Sequence, residues 1–244
     1  MPRGTPDGNA TKYGFAVKEV DPAAIYQYIW GFSPTDGAGR LVYLDTFNCG
    51  LAGWGQAATG AGVVPEITTI DNGRIYSPPN AVKLNPGVVS GDLTWIYRTY
   101  FLGQSARIGF EAGFDFSDAT PEWFFRIDYN NLNAVAYVPV LKFNHSTGWW
   151  QIQVLGGGWI DIFEMNISTV NIRLMQIKFV GDWITGKYVR ALIGDNLIDL
   201  SAYQMPLSVN SIEGFVAYVA RAVSFGAGTG YGILGYVLIT KDEP

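Results

Sequence analysis

The chain has 244 residues, a formal net charge of −5 and only 15% charged residues, set against 8 Trp, 14 Tyr and 14 Phe. No block of Lys or Arg interrupts this acidic balance, so the electrostatic footprint of a direct nucleic-acid binder is missing. The lone cysteine, Cys49, excludes an intrachain disulfide and a metal cage built from several thiolates.

The opening Met1-Pro2-Arg3-Gly4 lacks the basic and apolar regions of a secretory signal, and no apolar run reaches the roughly 18 to 20 residues of a spanning helix, so a soluble protein with no membrane partner is expected. Residues 1–40 are punctuated by Pro and Gly and short of alternating hydrophobicity, which reads as an N-terminal arm. Within it, Asp21 as N-cap and Pro22 at the first helical position predict a short helix near 22–30, before Gly31. Ile25, Tyr28 and Ile29 share one face of that helix and need an apolar partner.

From Leu41 onward short β-branched and aromatic runs alternate with Gly, Pro, Asn and Asp, the pattern of an all-β sandwich over 41–244. Strands are predicted at 41–45, 66–69, 81–84, 93–101, 106–116, 122–128, 134–143, 149–155, 158–163, 174–180, 188–193, 196–199, 212–220 and 232–240. In 107–116 the alternation puts Ile108, Phe110, Ala112, Phe114 and Phe116 on a core face, with Glu111 and Asp115 on a wet one. Gly194-Asp195-Asn196 and Gly156-Gly157-Gly158 read as tight links, which favours antiparallel pairing. The absence of long helical periods argues against a parallel α/β fold.

Chemistry-bearing residues are sparse. His145 is the only histidine, so a His-dependent triad or a two-His metal site has no second candidate, and its setting Asn144-His145-Ser146-Thr147-Gly148 reads as a polar turn. A glycosidase needs two carboxylates at short spacing. Glu111 with Asp115 and Glu122 with Asp128 come nearest without forming such a motif. No catalytic residue, cofactor or metal is expected. Trp149, Trp150 and Trp159 could stack on sugar rings, although adjacent Trp149 and Trp150 must face opposite sides of a strand.

Two resemblances bear on function. The run Leu44-Asp45-Thr46-Phe47-Asn48-Cys49-Gly50-Leu51-Ala52-Gly53-Trp54, followed by Ser77-Pro78-Pro79-Asn80-Ala81-Val82-Lys83-Leu84, resembles the opening of concanavalin-like and carbohydrate-module jelly rolls. That resemblance implies an antiparallel jelly roll. It often brings a structural calcium held in part by an Asp on the last strand, whereas Gly235-Tyr236-Val237-Leu238-Ile239 carries no carboxylate. Separately, Met1 to Asp7, Thr185-Gly186-Lys187-Tyr188-Val189-Arg190, Asp199-Leu200-Ser201 and Ile239 to Pro244 resemble a family of tailed-bacteriophage and prophage proteins.

The second resemblance implies a non-enzymatic virion component, such as a capsid decoration protein or a head, fibre or tail accessory protein. It would assemble as a homo-oligomer with other virion proteins. An arm that cannot bury its own rings assigns the contact to Tyr13, Phe15, Ile25, Tyr28, Ile29, Trp30 and Phe32. The alternative is a lectin-like module reading a cell-surface glycan through Trp149, Trp150 or Trp159.

Overall fold

The computed structural model describes residues 40–47, 49–69, 80–101, 106–116, 122–130, 136–165, 175–208, 215–224 and 230–244. Residues 1–39 of the expected arm, with the helix predicted near 22–30 and the seven residues assigned to assembly, lie outside these. Within them the chain is all β: seventeen strands in two antiparallel sheets.

In chain order the strands are β1 (Arg40–Asp45), β2 (Gly55–Thr59), β3 (Val63–Thr69), β4 (Asn80–Asn85), β5 (Leu93–Phe101), β6 (Arg107–Phe116), β7 (Glu122–Asn130), β8 (Ala136–Tyr137) and β9 (Val140–Asn144). They continue as β10 (Trp149–Gln153), β11 (Trp159–Glu164), β12 (Met175–Asp182), β13 (Lys187–Ile193), β14 (Asn196–Asp199), β15 (Leu207–Ser208), β16 (Phe215–Val223) and β17 (Gly232–Lys241). One sheet of eight runs β14-β13-β12-β6-β17-β4-β3, with β1 also on β17. The other, of nine, runs β11-β10-β9-β7-β16-β5-β2, with β8 on β7 and β15 on β8.

Alternation explains the layering. Ile108, Phe110, Ala112 and Phe114 of β6 face Trp123, Phe125 and Ile127 of β7 across a core that also takes Phe143, Trp150 and Phe179. The rings of Phe114 and Phe125 lie 5.0 Å apart, and those of Phe143 and Trp150 also 5.0 Å, within the range where tilted aromatic pairs add about 0.5–1.5 kcal/mol each beyond area burial. Packing leaves no slack. A Cβ on Gly232 would fall 1.4 Å from Trp123 Cζ2, so only glycine lets β17 pass that indole.

The predicted strands recur, most with shifted ends, and three departures have physical causes. The stretch 134–143 divides into β8 and β9 around Pro139, which has no N–H to give a ladder. The small-residue strand β2 carries too little β-branched or aromatic signal to be seen beforehand, and it pairs in register with Gly55 opposite Tyr97 and Thr59 opposite Leu93.

The third departure is that Glu111 and Asp115 are buried, at 3% and 1% exposure, on the face expected to be wet. A bulge between Leu234 and Tyr236 turns Tyr236 to that face, where its hydroxyl donates to Glu111 at 2.9 Å and its ring lies over Gly113. Alongside, Glu243 binds Lys178 at 3.0 Å and Arg190 at 2.7 Å.

Tight turns close as expected. β13 and β14 are joined by Gly194 and Asp195, with Gly194 at φ 56°. At the β12–β13 turn, Asp182 accepts the N–H groups of Ile184 (2.9 Å) and Thr185 (3.0 Å) and the Nε–H of Arg107 (3.0 Å). Burial alone would raise the Asp182 pKa, but the Thr185 N–H, Arg107 and the Ile184 N–H together outweigh it and hold the carboxyl below its ordinary value of 3.8.

A depressed folded-state pKa stabilises fully above the unfolded value, and that stabilisation is lost as pH falls through the folded one. Asp182→Asn is therefore expected to cost about 1–3 kcal/mol near neutrality. The same change should flatten the acid limb of the stability profile, which thermal melts from neutral to strongly acidic pH would show.

Candidate functional site

The outer face of the nine-stranded sheet carries the concentration of rings and charges, and strand register assembles it. Trp95 of β5 pairs with Arg221 of β16, Arg221 with Phe124 of β7, Phe124 with Lys142 of β9, Lys142 with Gln151 of β10, and Gln151 with Asp161 of β11. Pleating puts directly paired residues on one face, so these six form a transverse row. The adjacent row brings Arg126, Val140, Gln153 and Trp159 alongside. Between the rows opens a pocket of about 440 Å³ lined by Leu93, Trp95, Phe124, Arg126, Asp128, Val140, Gln153, Trp159 and Arg221.

Charges inside the face are largely paired. Lys142 Nζ lies 3.1 Å from Glu122 Oε1, both nearly buried, and sits 4.2 Å from the Trp159 ring centre and 5.8 Å from that of Phe124. This cation leans Trp159 inward from the edge strand until its ring meets Phe124 edge-on at 5.8 Å. Arg126 is paired with Asp128, and Gln151 donates to Asp161 at 2.6 Å. Arg221 differs: its guanidinium lies 4.4 Å over the Phe124 ring, and among the described residues no acceptor meets it.

The floor is held from the opposite sheet. Tyr188 of β13 is fully buried, and its hydroxyl accepts the Val140 N–H at 2.9 Å while donating to the Gln153 carbonyl at 2.7 Å. It thereby satisfies backbone groups of β9 and β10 where their own pairing stops at Leu141 and Ile152. Burial pushes its phenol well above the ordinary value, so it stays a protonated donor.

The three tryptophans singled out from sequence separate. Trp159 lines the pocket. Trp149 lies on the same face but pairs with Asn144 and Glu164, beyond the lining. Trp150 is a core residue at 0% exposure, packed on Phe143 and Phe114, and cannot meet a ligand. Trp95, Phe124, Arg126 and Arg221 were not foreseen. The available signal was an aromatic on the polar side of an alternating strand, Phe124 between Glu122 and Arg126.

His145 occupies the β9–β10 turn and packs edge-on against Phe143. Asp45, the acidic residue of the opening motif, is engaged by protein donors: the Phe47 N–H at 2.7 Å, the Trp54 Nε1–H at 2.8 Å and the Tyr43 hydroxyl. Among the described residues no group of three or more His, Cys, Asp and Glu is placed to hold a metal ion.

No protein-family model matches the chain, and no curated protein matches it in sequence. Solved structures do match in fold. They include the cellulose-induced protein Cip1, at TM-score 0.55 and 10% identity over 82% of this chain and 97% of that one. The exoplasmic domain of VIP36 in its Ca²⁺/Man3GlcNAc-bound form matches at 0.50 and 7%, over 82% and 90%. A glycoside hydrolase family 16 endo-glucanase from Bacteroides ovatus, in complex with an oligosaccharide, matches at 0.50 and 11%, over 81% and 99%.

The fold is the concanavalin- and galectin-like jelly roll. Its matches include both a sugar-bound domain and a glycoside hydrolase, so likeness of fold leaves activity to be argued from the site.

Proposed function

We propose that this jelly roll is a carbohydrate-binding domain, with its glycan seated in the pocket on the outer face of the nine-stranded sheet. One observation carries the reading: strand register gathers Trp95, Phe124 and Trp159 around a pocket that Arg126, Asp128, Gln153 and Arg221 also line. Flat rings offer apolar faces to pyranoses while neighbouring amides and charges meet hydroxyls, the mixture that ligand pockets use for affinity and orientation. Trp95 and Phe124 stand on strands two apart, roughly 9–10 Å, with Arg221 on the strand between them. Solved structures of this fold that hold oligosaccharides add support from outside the chain.

Binding is favoured over hydrolysis by where the carboxylates stand. Retaining and inverting glycosidases need a pair about 5–5.5 Å or 6.5–9.5 Å apart. Glu122 and Asp128 lie six residues apart on β7, roughly 20 Å along the strand. Each is already ion-paired, and Phe124 and Arg126 alternate between them on the same face. Titrating the full chain with neutral and acidic oligosaccharides, read by tryptophan fluorescence and calorimetry, is expected to give saturable binding. A flat response across both classes would end the reading.

The virion address rests on the phage-family resemblance, and the homo-oligomer on that resemblance together with the low charge and the ring-rich arm. A domain of this kind on a virion would contact surface glycans of a host cell, and light scattering on the full chain is expected to give a discrete trimer or higher oligomer. A monomer would remove the assembly role.

A further inference from the structure

Building on the glycan-binding reading, we propose that the pocket takes an acidic glycan whose anionic group, a carboxylate or a sulfate on a pyranose, is received by Arg221. Three cations surround the Phe124 ring or adjoin it, and two of them are neutralised within the protein, Lys142 by Glu122 and Arg126 by Asp128. Among the described residues Arg221 alone of the three has no carboxylate in contact, and it is half-buried and lines the pocket.

Its plane rests on Phe124, which satisfies the face of the guanidinium and none of its N–H groups. Burial first, and the like charge of Arg126 second, press its pKa below the ordinary arginine value, with Glu122 opposing them in part. A guanidinium desolvated on one side and repelled on another gains most from a ligand that brings both negative charge and paired acceptors. A neutral hydroxyl supplies an acceptor and no charge. A carboxylate or sulfate supplies both, at a point where neighbouring rings can hold the sugar that bears it.

The test is calorimetry on the full chain with three probes at equal length: an oligogalacturonate, a sulfated heparin fragment and a neutral cello-oligosaccharide, each at low and moderate salt. At least one acidic probe is expected to bind roughly tenfold or more tighter than the neutral one and to weaken with salt. Which acidic probe wins distinguishes carboxylate from sulfate.

Arg221→Gln is expected to lower acidic-glycan affinity roughly ten- to hundredfold, a clearly larger factor than it lowers neutral affinity. Arg221→Lys, retaining charge without the planar fork, should fall between. Melting curves confirm folding, and the wild-type comparison of probes stands even if a variant fails to fold. Equal affinity for neutral and acidic probes, or an acidic affinity unchanged in Arg221→Gln, would overturn the acidic assignment while leaving a glycan site. Silence from all three probes would overturn both.

Discussion

Trp159→Ala is expected to weaken glycan binding by about 2 kcal/mol or more, roughly thirtyfold in Kd, because a tryptophan lining a binding pocket is the type of residue that concentrates binding energy. The fold should tolerate the change. Trp159 begins β11, the outermost strand of its sheet, is only partly buried, and contributes no ring to the core between the sheets.

Two neighbouring substitutions make the measurement specific. Trp149→Ala, on the same face but outside the lining, should leave affinity unchanged. Trp150→Ala should instead cost about 3–5 kcal/mol of stability, since it empties a fully enclosed site against Phe143 and Phe114. Calorimetry for affinity and urea unfolding for stability would separate the three. Equal affinity in Trp159→Ala and wild type would place the ligand elsewhere on the sheet.

Lys142→Met is expected to destabilise the protein by about 3–5 kcal/mol, the cost of leaving one member of a buried ion pair uncompensated. Glu122 is 9% exposed and Lys142 7%, and the Lys142 ammonium donates to Glu122 at 3.1 Å. Adding Glu122→Gln to Lys142→Met removes the orphaned charge, so the double variant should recover most of the loss, which a double-mutant cycle in urea would show.

Recovery of stability need not restore function. Lys142 also draws Trp159 over the pocket through its 4.2 Å approach to the ring, so the double variant is expected to fold well and still bind glycan more weakly than wild type. A single Lys142→Met variant within 1 kcal/mol of wild type would show that the pair is solvated and contributes little.

Strand identity was legible because period-two alternation is local. Leu93 to Phe101 and Asn196 to Asp199 have the bounds read from their sequence alone, and the turns at Gly194 and Gly156 follow from glycine's access to positive φ. Residue direction was legible only where the alternation stays regular. Bulges between Trp150 and Gln151 and between Leu234 and Tyr236 shift which side chains face inward. No propensity distinguishes Trp149 from Trp150, and none foretells that Glu111 would be enclosed beneath Tyr236 rather than solvated.

The amino-acid sequence by itself determined the class of the fold and its aromatic core, both of which depend on composition and short-range periodicity. Only the tertiary structure decided the site. Trp95, Phe124, Lys142, Trp159 and Arg221 come from five strands, and the registers that align them are pairings between distant segments, such as Trp95 with Arg221 and Arg221 with Phe124. A one-residue slip in any of these would send its residue to the core face. The pocket is thus a property of how the strands are ordered and bulged, with each contributing side chain unremarkable within its own segment.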